Sequence, residues 1–135
     1  MSKQIYVNLP VKDLERSKSF FVALGFRFNP QFTDQNAACM IVSDDIYVML
    51  LTESFFQGFT GKPIADAHKV TEVLVCLSCD SRAELDGLVA KAVAAGGKAP
   101  RQLKDHGFMV QHGFEDPDGH IWELVHMVET APAAV

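Results

Sequence analysis

The feature that most constrains the fold of this chain is an internal repeat in its secondary-structure pattern. One strand-like segment, one helical segment and three further strand-like segments occur within about residues 3–60, and the same order returns over about 69–128. Alternating apolar residues predict the strands, and helical spacing of apolar residues predicts the helices. Both halves therefore follow a βαβββ pattern, and the sequence predicts an α+β fold of two modules in a single domain over residues 1–135.

Capping residues mark both predicted helices. Asp13 is suited to the N-cap of the first helix, and Gly25 to its C-terminal end. Ser81 and Glu84 form a capping box at the start of the second helix, and Gly96-Gly97 ends it. Strands are predicted in "QIYVNLP", "FRFNPQF", "NAACMIVS", "DIYVMLLT", "KVTEVLVCLS", "HGFMVQHGFE" and "HIWELVHM", with a short one near "KAPRQ".

The Phe-rich segment "ESFFQGFTGKPIADAH" joins the two modules and is predicted to be a partly ordered loop. Its three phenylalanines have two interpretations: they act as a lid over a binding cleft, or they cover the core or a dimer contact. The three are Phe55, Phe56 and Phe59.

Composition and charge exclude several classes of function. The net charge of -5 and the scattered distribution of 12 Lys and Arg residues argue against nucleic-acid binding, which requires a clustered basic surface. No apolar run reaches the roughly 20 residues that span a bilayer, and the N-terminus does not resemble a signal peptide. We therefore expect a cytoplasmic protein with reduced cysteines. In "CLSC", Cys76 and Cys79 are three residues apart on a strand, so their side chains are expected to point to opposite faces.

The stretch "FEDPDGHIWELV" near the C-terminus contains the most informative carboxylate. Asp116, Pro117 and Gly119 are typical of a type I turn between two strands. Alternation along the following strand places Trp122 and Glu123 on opposite faces, with Trp122 toward the helices. A glutamate on a covered apolar face is costly unless it is paired or hydrated, so Glu123 indicates a water-filled cleft. Two structural interpretations remain: an exposed charge at a sheet edge, or a partner for a buried donor.

The two segments "NLPVKDLERSKSFFVALGF" and "FEDPDGHIWEL", together with the duplicated pattern, resemble the vicinal oxygen chelate superfamily, which includes glyoxalases, bleomycin-resistance proteins and extradiol dioxygenases. The resemblance covers roughly residues 3–127. It implies a curled mixed sheet that encloses a cleft for small ligands, and it implies a homodimer. Metal enzymes of the superfamily bind a divalent ion in that cleft through ligands from four strands.

The residues at the four ligand positions that the resemblance implies are Asn8, Met49, Leu74 and Glu123. Met and Leu are not useful ligands for a hard or borderline dication, and an amide oxygen is a weak one. We therefore expect no metal and no other cofactor at the usual site. A divalent metal is conceivable only with non-standard ligands, such as a pair formed by Glu72 and Glu123 on one face.

Parity along the predicted strands divides the remaining candidates between two faces. The residues expected to face the helices are Ile5, Val7, Leu9, Val48, Leu50, Val73, Val75, Leu77, Trp122 and Leu124. The residues expected to face the ligand cleft are Tyr6, Asn8, Tyr47, Met49, Glu72, Leu74, Cys76, Met109, Gln111 and Glu123.

Three functions fit this cleft. The first is a metal-independent protein that binds a planar or amphipathic small molecule. The second is a glyoxalase-like lyase or isomerase, or a dioxygenase-related enzyme, with a relocated metal or with Glu123 as general base. The third is a dimeric interaction module whose cleft is filled by side chains.

Overall fold

The computed structural model describes residues 2–128, which divide between Asp66 and Ala67 into two compact units. Each unit contains one four-stranded sheet. The unit up to Asp66 is called the N-terminal unit here, and the unit from Ala67 onward the C-terminal unit. No helix within residues 2–128 is long and apolar enough to cross a membrane.

The N-terminal unit has the predicted βαβββ order. Its elements are β1 (Ile5–Val11), α1 (Leu14–Ala23), β2 (Arg27–Asn29), a 3-10 turn (Pro30–Phe32), β3 (Ala37–Ser43), β4 (Ile46–Thr52) and α2 (Glu53–Gln57). The strand order is β1-β4-β3-β2, with β1 parallel to β4 and the other pairs antiparallel. The Asp13 side chain accepts a hydrogen bond from the Arg16 backbone N–H at 3.1 Å, and Gly25 has a φ of 103°, so both predicted ends of α1 are confirmed.

The C-terminal unit repeats this arrangement. Its elements are β5 (Leu74–Ser78), α3 (Arg82–Ala94), β6 (Lys104–Asp105), β7 (Met109–Glu115) and β8 (Ile121–Met127). The strand order is β5-β8-β7-β6, and β5 is parallel to β8. The Ser81 hydroxyl caps α3 by accepting from the Glu84 N–H at 3.0 Å. The α+β class and the two βαβββ modules predicted from the sequence are confirmed.

The face of each sheet toward its helix forms the core, as the parity argument predicts for most positions. Leu9, Val48 and Leu50 in the first sheet, and Trp122 and Leu124 in the second, are almost fully buried. Of the other predicted core residues, Val7, Val75 and Leu77 are only partly buried, and two are exposed.

Those two residues are Ile5, which is 53% exposed, and Val73, which is 42% exposed. Ile5 is the first residue of a strand at the sheet edge, and Val73 lies before β5 begins, so neither position is covered by a helix.

Several predicted boundaries are wrong. The strand predicted in "FRFNPQF" ends at Asn29, because Pro30 begins a 3-10 turn. The fifth strand begins at Leu74 rather than near Lys69, because Leu74 pairs with Ile121, and the residues before Ile121 form a turn that offers no ladder. The short strand near "KAPRQ" is only an isolated bridge from Lys98 to Glu115, and β6 lies further on. The Phe-rich loop begins with the helix α2, which the Thr52 hydroxyl caps.

Candidate functional site

Four predicted site residues lie together on the sheet face of the N-terminal unit that is turned away from α1. Tyr6 and Asn8 on β1 are directly opposite Tyr47 and Met49 on β4. Side chains two residues apart on a strand share a face, so these residues form two adjacent cross-strand pairs. The sequence parity therefore grouped them correctly within this unit.

The two tyrosines form an aromatic platform. Their ring centroids are 4.8 Å apart and the ring planes differ by 11°. The Tyr6 hydroxyl donates to the Gln4 side-chain oxygen at 3.0 Å, and the Tyr47 hydroxyl donates to the Asp44 carbonyl at 2.8 Å. Desolvation, reinforced by the neighbouring Tyr6 hydroxyl, raises the pKa of Tyr47, so this phenol remains neutral at physiological pH.

Beside Asn8 the N-terminal unit has a pocket of about 400 Å³. Its lining residues are Asn8, Leu51, Phe56, Phe59 and Thr60. Pockets of roughly 300–1,000 Å³ that are lined mainly by apolar and aromatic side chains, with a few polar groups, are typical of small-molecule sites. Of the predicted site residues only Asn8 lines this pocket.

The wall of the pocket that α2 supplies is held by local contacts. Phe55 and Phe59 pack edge to face, with ring centroids 5.3 Å apart. The Gln57 side-chain amide donates to the carbonyl oxygens of Thr60 and Lys62, at 2.9 and 2.8 Å. These bonds hold the turn that follows α2, so that residues from the connecting segment stand beside strand β1.

The sequence reasoning missed part of this lining. Leu51 follows Tyr47 and Met49 at the strand period of two, so parity was a sufficient signal to include it. Phe56 and Phe59 were predicted either to act as a lid or to cover the core or a dimer contact, and in the structure both line the same pocket as Asn8. Thr60 lies in an irregular segment, where no periodic signal predicts its position.

In the C-terminal unit, five of the predicted residues share the sheet face that is turned away from α3. They are Leu74 and Cys76 on β5, Met109 and Gln111 on β7, and Glu123 on β8. Glu72 does not belong to this set by register. It precedes β5 in an irregular, exposed segment, so its expected pairing with the face of Glu123 has no strand geometry to support it.

Glu123 lies between Cys76 on one neighbouring strand and Gly113 on the other. Its side chain is partly buried, and within residues 2–128 its carboxylate makes no hydrogen bond or ion pair. Desolvation, together with the charge of Glu123, raises the pKa of the Cys76 thiol, which therefore stays protonated and is a poor nucleophile at neutral pH.

Gly113 allows β7 to approach the backbone of β8 closely beside Glu123. A Cβ atom at Gly113 would lie 2.5 Å from the Trp122 carbonyl oxygen, so no side chain fits there without a backbone shift. The Glu123 carboxylate therefore has a side-chain-free neighbour on β7. Elsewhere on this face the Gln111 side-chain oxygen is 3.1 Å from His106 Nε2, so its amide is already engaged.

A second carboxylate of the same segment has a structural role. Asp116 is 4% exposed, and its Oδ1 accepts hydrogen bonds from the backbone N–H groups of Asp118 and His120, each at 3.0 Å. Its Oδ2 accepts from the indole N–H of Trp122, also at 3.0 Å. Burial raises the pKa of Asp116, and the charge of His120 acts in the opposite direction.

A catalytic divalent ion does not fit the side chains at the four metal-ligand positions that the superfamily resemblance implies. Asn8 and Met49 are cross-strand neighbours that supply an amide oxygen and a thioether, Leu74 supplies no donor, and Glu123 supplies a single carboxylate. In the part of the chain that the structure describes, no three His, Cys, Asp or Glu side chains come together in a group able to hold a metal.

Comparisons with known proteins show which proteins share this fold. Residues 3–43 match the family model of the bleomycin resistance protein-like N-terminal region. A hypothetical protein, SA1046 from S. aureus, superposes with a TM-score of 0.79 at 28% identity, over 93% of this chain and 94% of that one. The chain therefore has the glyoxalase/bleomycin-resistance fold, and its residues 3–43 are similar to the bleomycin resistance protein-like family.

Two further solved structures share the fold at lower identity. A glyoxalase/bleomycin resistance protein/dioxygenase family enzyme from Burkholderia phytofirmans PsJN has a TM-score of 0.78 at 15% identity, over 94% of this chain and 100% of that one. The fosfomycin resistance protein FosX from Mesorhizobium loti has a TM-score of 0.70 at 16% identity, covering 99% of each chain. No curated protein matches the sequence. Recognition of the superfamily from two sequence segments is thus confirmed.

Proposed function

We propose that this protein binds a small, largely apolar molecule in the pocket of its N-terminal unit and leaves it chemically unchanged. The observation that carries the proposal is the pocket of about 400 Å³ between Asn8 and the α2 segment, next to the Tyr6–Tyr47 stack. Two phenylalanines and one leucine supply most of its walls, so burial of an apolar ligand drives binding.

The family match supports a binding role for the same region. The matched residues 3–43 include Tyr6 and Asn8, and the matching model describes proteins like the bleomycin resistance protein. A binding protein requires no metal, which agrees with the poor donor set at Asn8, Met49, Leu74 and Glu123. We expect protein purified without chelator to contain far less than one divalent ion per chain.

The test uses N-phenyl-1-naphthylamine, an uncharged aromatic fluorophore whose emission rises in an apolar site. We expect saturable binding at one site per chain, and at least tenfold weaker binding by Phe56→Ala, because buried aromatic contacts typically contribute more than about 1.4 kcal/mol. Phe32→Ala is the matched control, because Phe32 is 61% exposed and does not line the pocket.

Absence of saturable binding, or equal weakening by Phe56→Ala and Phe32→Ala, would refute the proposed site. The control isolates the effect of the pocket position, because both variants remove one phenyl ring from the same unit of the protein.

A second candidate is metal-free catalysis with Glu123 as general base. The observation that favours it is the partly buried Glu123 carboxylate, which makes no hydrogen bond or ion pair within residues 2–128 and whose neighbour on β7, Gly113, has no side chain. Such a base would remove a proton next to a substrate carbonyl, as in an isomerase or lyase. Deuterium exchange into α-hydroxyketones in D2O measures this step. Catalysis predicts exchange that Glu123→Gln abolishes while fluorophore binding is unchanged, and no exchange by the wild type excludes it.

The homodimer and the cytoplasmic location belong to the proposal as well. Exposed apolar side chains at Ile5, Leu74 and Met127, each more than half exposed, support an association of two copies. Light scattering on the purified protein should give twice the mass of 14.9 kDa. A mass of one chain at micromolar concentration would contradict the dimer without affecting the binding proposal.

A further inference from the structure

We propose that the pocket of the N-terminal unit selects uncharged, planar molecules that carry a hydrogen-bond donor, such as the N–H of a lactam, and that the Asn8 side-chain oxygen accepts that bond. This inference rests on the proposed function, because it names the ligand class of the same pocket. It assigns Asn8 as a specificity-determining residue at a position where the superfamily resemblance implies a metal ligand.

The lining of the pocket carries no charge. None of the five lining residues is ionisable: the pocket presents Asn8, Leu51, Phe56, Phe59 and Thr60. An ion that leaves water for such a pocket loses its hydration without gaining a counter-charge. The pocket therefore favours neutral ligands, and an ionised analogue of a neutral ligand should bind more weakly.

The Asn8 amide makes one hydrogen bond to the protein. Its Nδ2 donates to the Tyr6 carbonyl at 3.3 Å, and this bond assigns the orientation of the amide. Within residues 2–128 its Oδ1 accepts no hydrogen bond. This oxygen of a pocket-lining residue is thus free of the protein's own donors, and a bound molecule that covered it without donating would leave it desolvated and unpaired.

Thr60 supplies a hydrogen-bond donor that complements the Asn8 acceptor. The Thr60 hydroxyl oxygen accepts from the Lys62 N–H at 3.1 Å, and within the described residues its own O–H has no protein acceptor. A hydroxyl can accept and donate at once, so Thr60 remains able to donate to a ligand. The pocket therefore offers one acceptor and one donor between aromatic walls, and a cyclic amide carries the complement of both on a flat ring.

The experiment compares three closely related ligands for their ability to displace N-phenyl-1-naphthylamine. They are quinolin-2(1H)-one, its N-methyl analogue and its 4-carboxylate. We expect quinolin-2(1H)-one to bind about tenfold more tightly than the N-methyl analogue, which has lost the donor. Its advantage over the 4-carboxylate should exceed tenfold. This comparison uses the wild-type protein, so it does not depend on the folding of any variant.

The variant Asn8→Leu keeps the branch at Cγ and removes the acceptor. We expect it to lose the preference between quinolin-2(1H)-one and its N-methyl analogue while still binding the fluorophore. Asn36→Leu is the matched control, because Asn36 does not line the pocket, and it should retain the wild-type preference. Thr60→Val should weaken both lactams equally, since both keep the carbonyl oxygen.

Different results would overturn the role of Asn8 and the binding function of the pocket. Equal displacement by the two lactams from wild-type protein that binds the fluorophore would overturn the role of Asn8 and leave the binding function intact. Retention of the preference by Asn8→Leu would overturn it in the same way. Failure of the fluorophore to bind at all would overturn the proposed function itself, and with it this inference.

Discussion

Replacement of Asp116 by Ala should destabilise the C-terminal unit more than any ordinary surface change. Three donors lose their acceptor: two backbone N–H groups and the indole N–H of Trp122, all at 3.0 Å from the carboxylate. A hydrogen bond to a charged group contributes roughly 1.5–3 kcal/mol, which gives about 4.5–9 kcal/mol for three. The burial cost of the carboxylate, which is evident in the raised pKa of Asp116, opposes this gain.

We therefore expect a net loss of about 3–5 kcal/mol in the free energy of unfolding, a large share of the roughly 5–15 kcal/mol that a domain possesses. Urea unfolding followed by tryptophan fluorescence measures it, because the single tryptophan, Trp122, is fully buried in this unit. Asp105→Ala is the matched control. Asp105 is exposed and accepts one backbone bond, from Gly107 at 2.8 Å, so it should cost less than about 1 kcal/mol.

Equal losses for the two aspartate variants would refute the reasoning, because they would show that burial and the number of donors do not decide the value. A loss for Asp116→Ala below about 1 kcal/mol would do the same.

Other predictions follow from single positions in the same unit. Gly113→Ala should destabilise the protein by about 1–3 kcal/mol, because the new Cβ would lie 2.5 Å from a carbonyl oxygen of β8. Gly87→Ala in α3 should stabilise it by about 0.5–1 kcal/mol, because the new Cβ meets nothing within 4 Å. Urea unfolding of both variants tests this contrast. Cys76 should react with iodoacetamide well before Cys79, which is buried and has a pKa of about 11, as peptide mass spectrometry would show; a faster Cys79 would contradict the assigned burial. The raised pKa of Asp116 means that above its ordinary value of 3.8 the folded state still binds a proton that the unfolded state has released. The free energy of unfolding of the wild type, measured relative to that of Asp116→Asn, should therefore fall as pH rises through that window. Urea unfolding of both proteins at several pH values measures this difference, and a difference independent of pH would show that the pKa of Asp116 is not shifted.

Much of the fold followed from the sequence because its signals are local. Asp13 and Gly25 mark the ends of α1 through capping bonds that involve only neighbouring residues. Strand parity grouped Tyr6 with Tyr47 and Asn8 with Met49, since one buried face imposes a period of two on every strand of the sheet.

The errors arise where a partner decides the outcome. Residues 69–73 have strand-like composition, but β8 begins only at Ile121, so the ladder of β5 has no partner before Leu74. That boundary removed the basis for a pairing between Glu72 and Glu123. The pocket was missed for a similar reason: it depends on the turn after α2, where Gln57 fixes Thr60 through bonds that no periodicity reveals.

The segment "FEDPDGHIWELV" contains two carboxylates with opposite environments, and their contrast separates structure from function. Asp116 is saturated with donors, whereas Glu123 has no partner within the described residues and is partly buried beside Gly113. A carboxylate that is kept without stabilising contacts is typical of a functional site, where activity is retained at some cost in stability. Glu123→Gln should therefore leave the free energy of unfolding unchanged or raise it by up to about 1 kcal/mol, while Asp116→Asn should lower it. Urea unfolding of the two variants measures both changes in the free energy of unfolding. A loss above about 1 kcal/mol for Glu123→Gln would mean that the carboxylate stabilises the fold, and the case for Glu123 as a functional group would then fall.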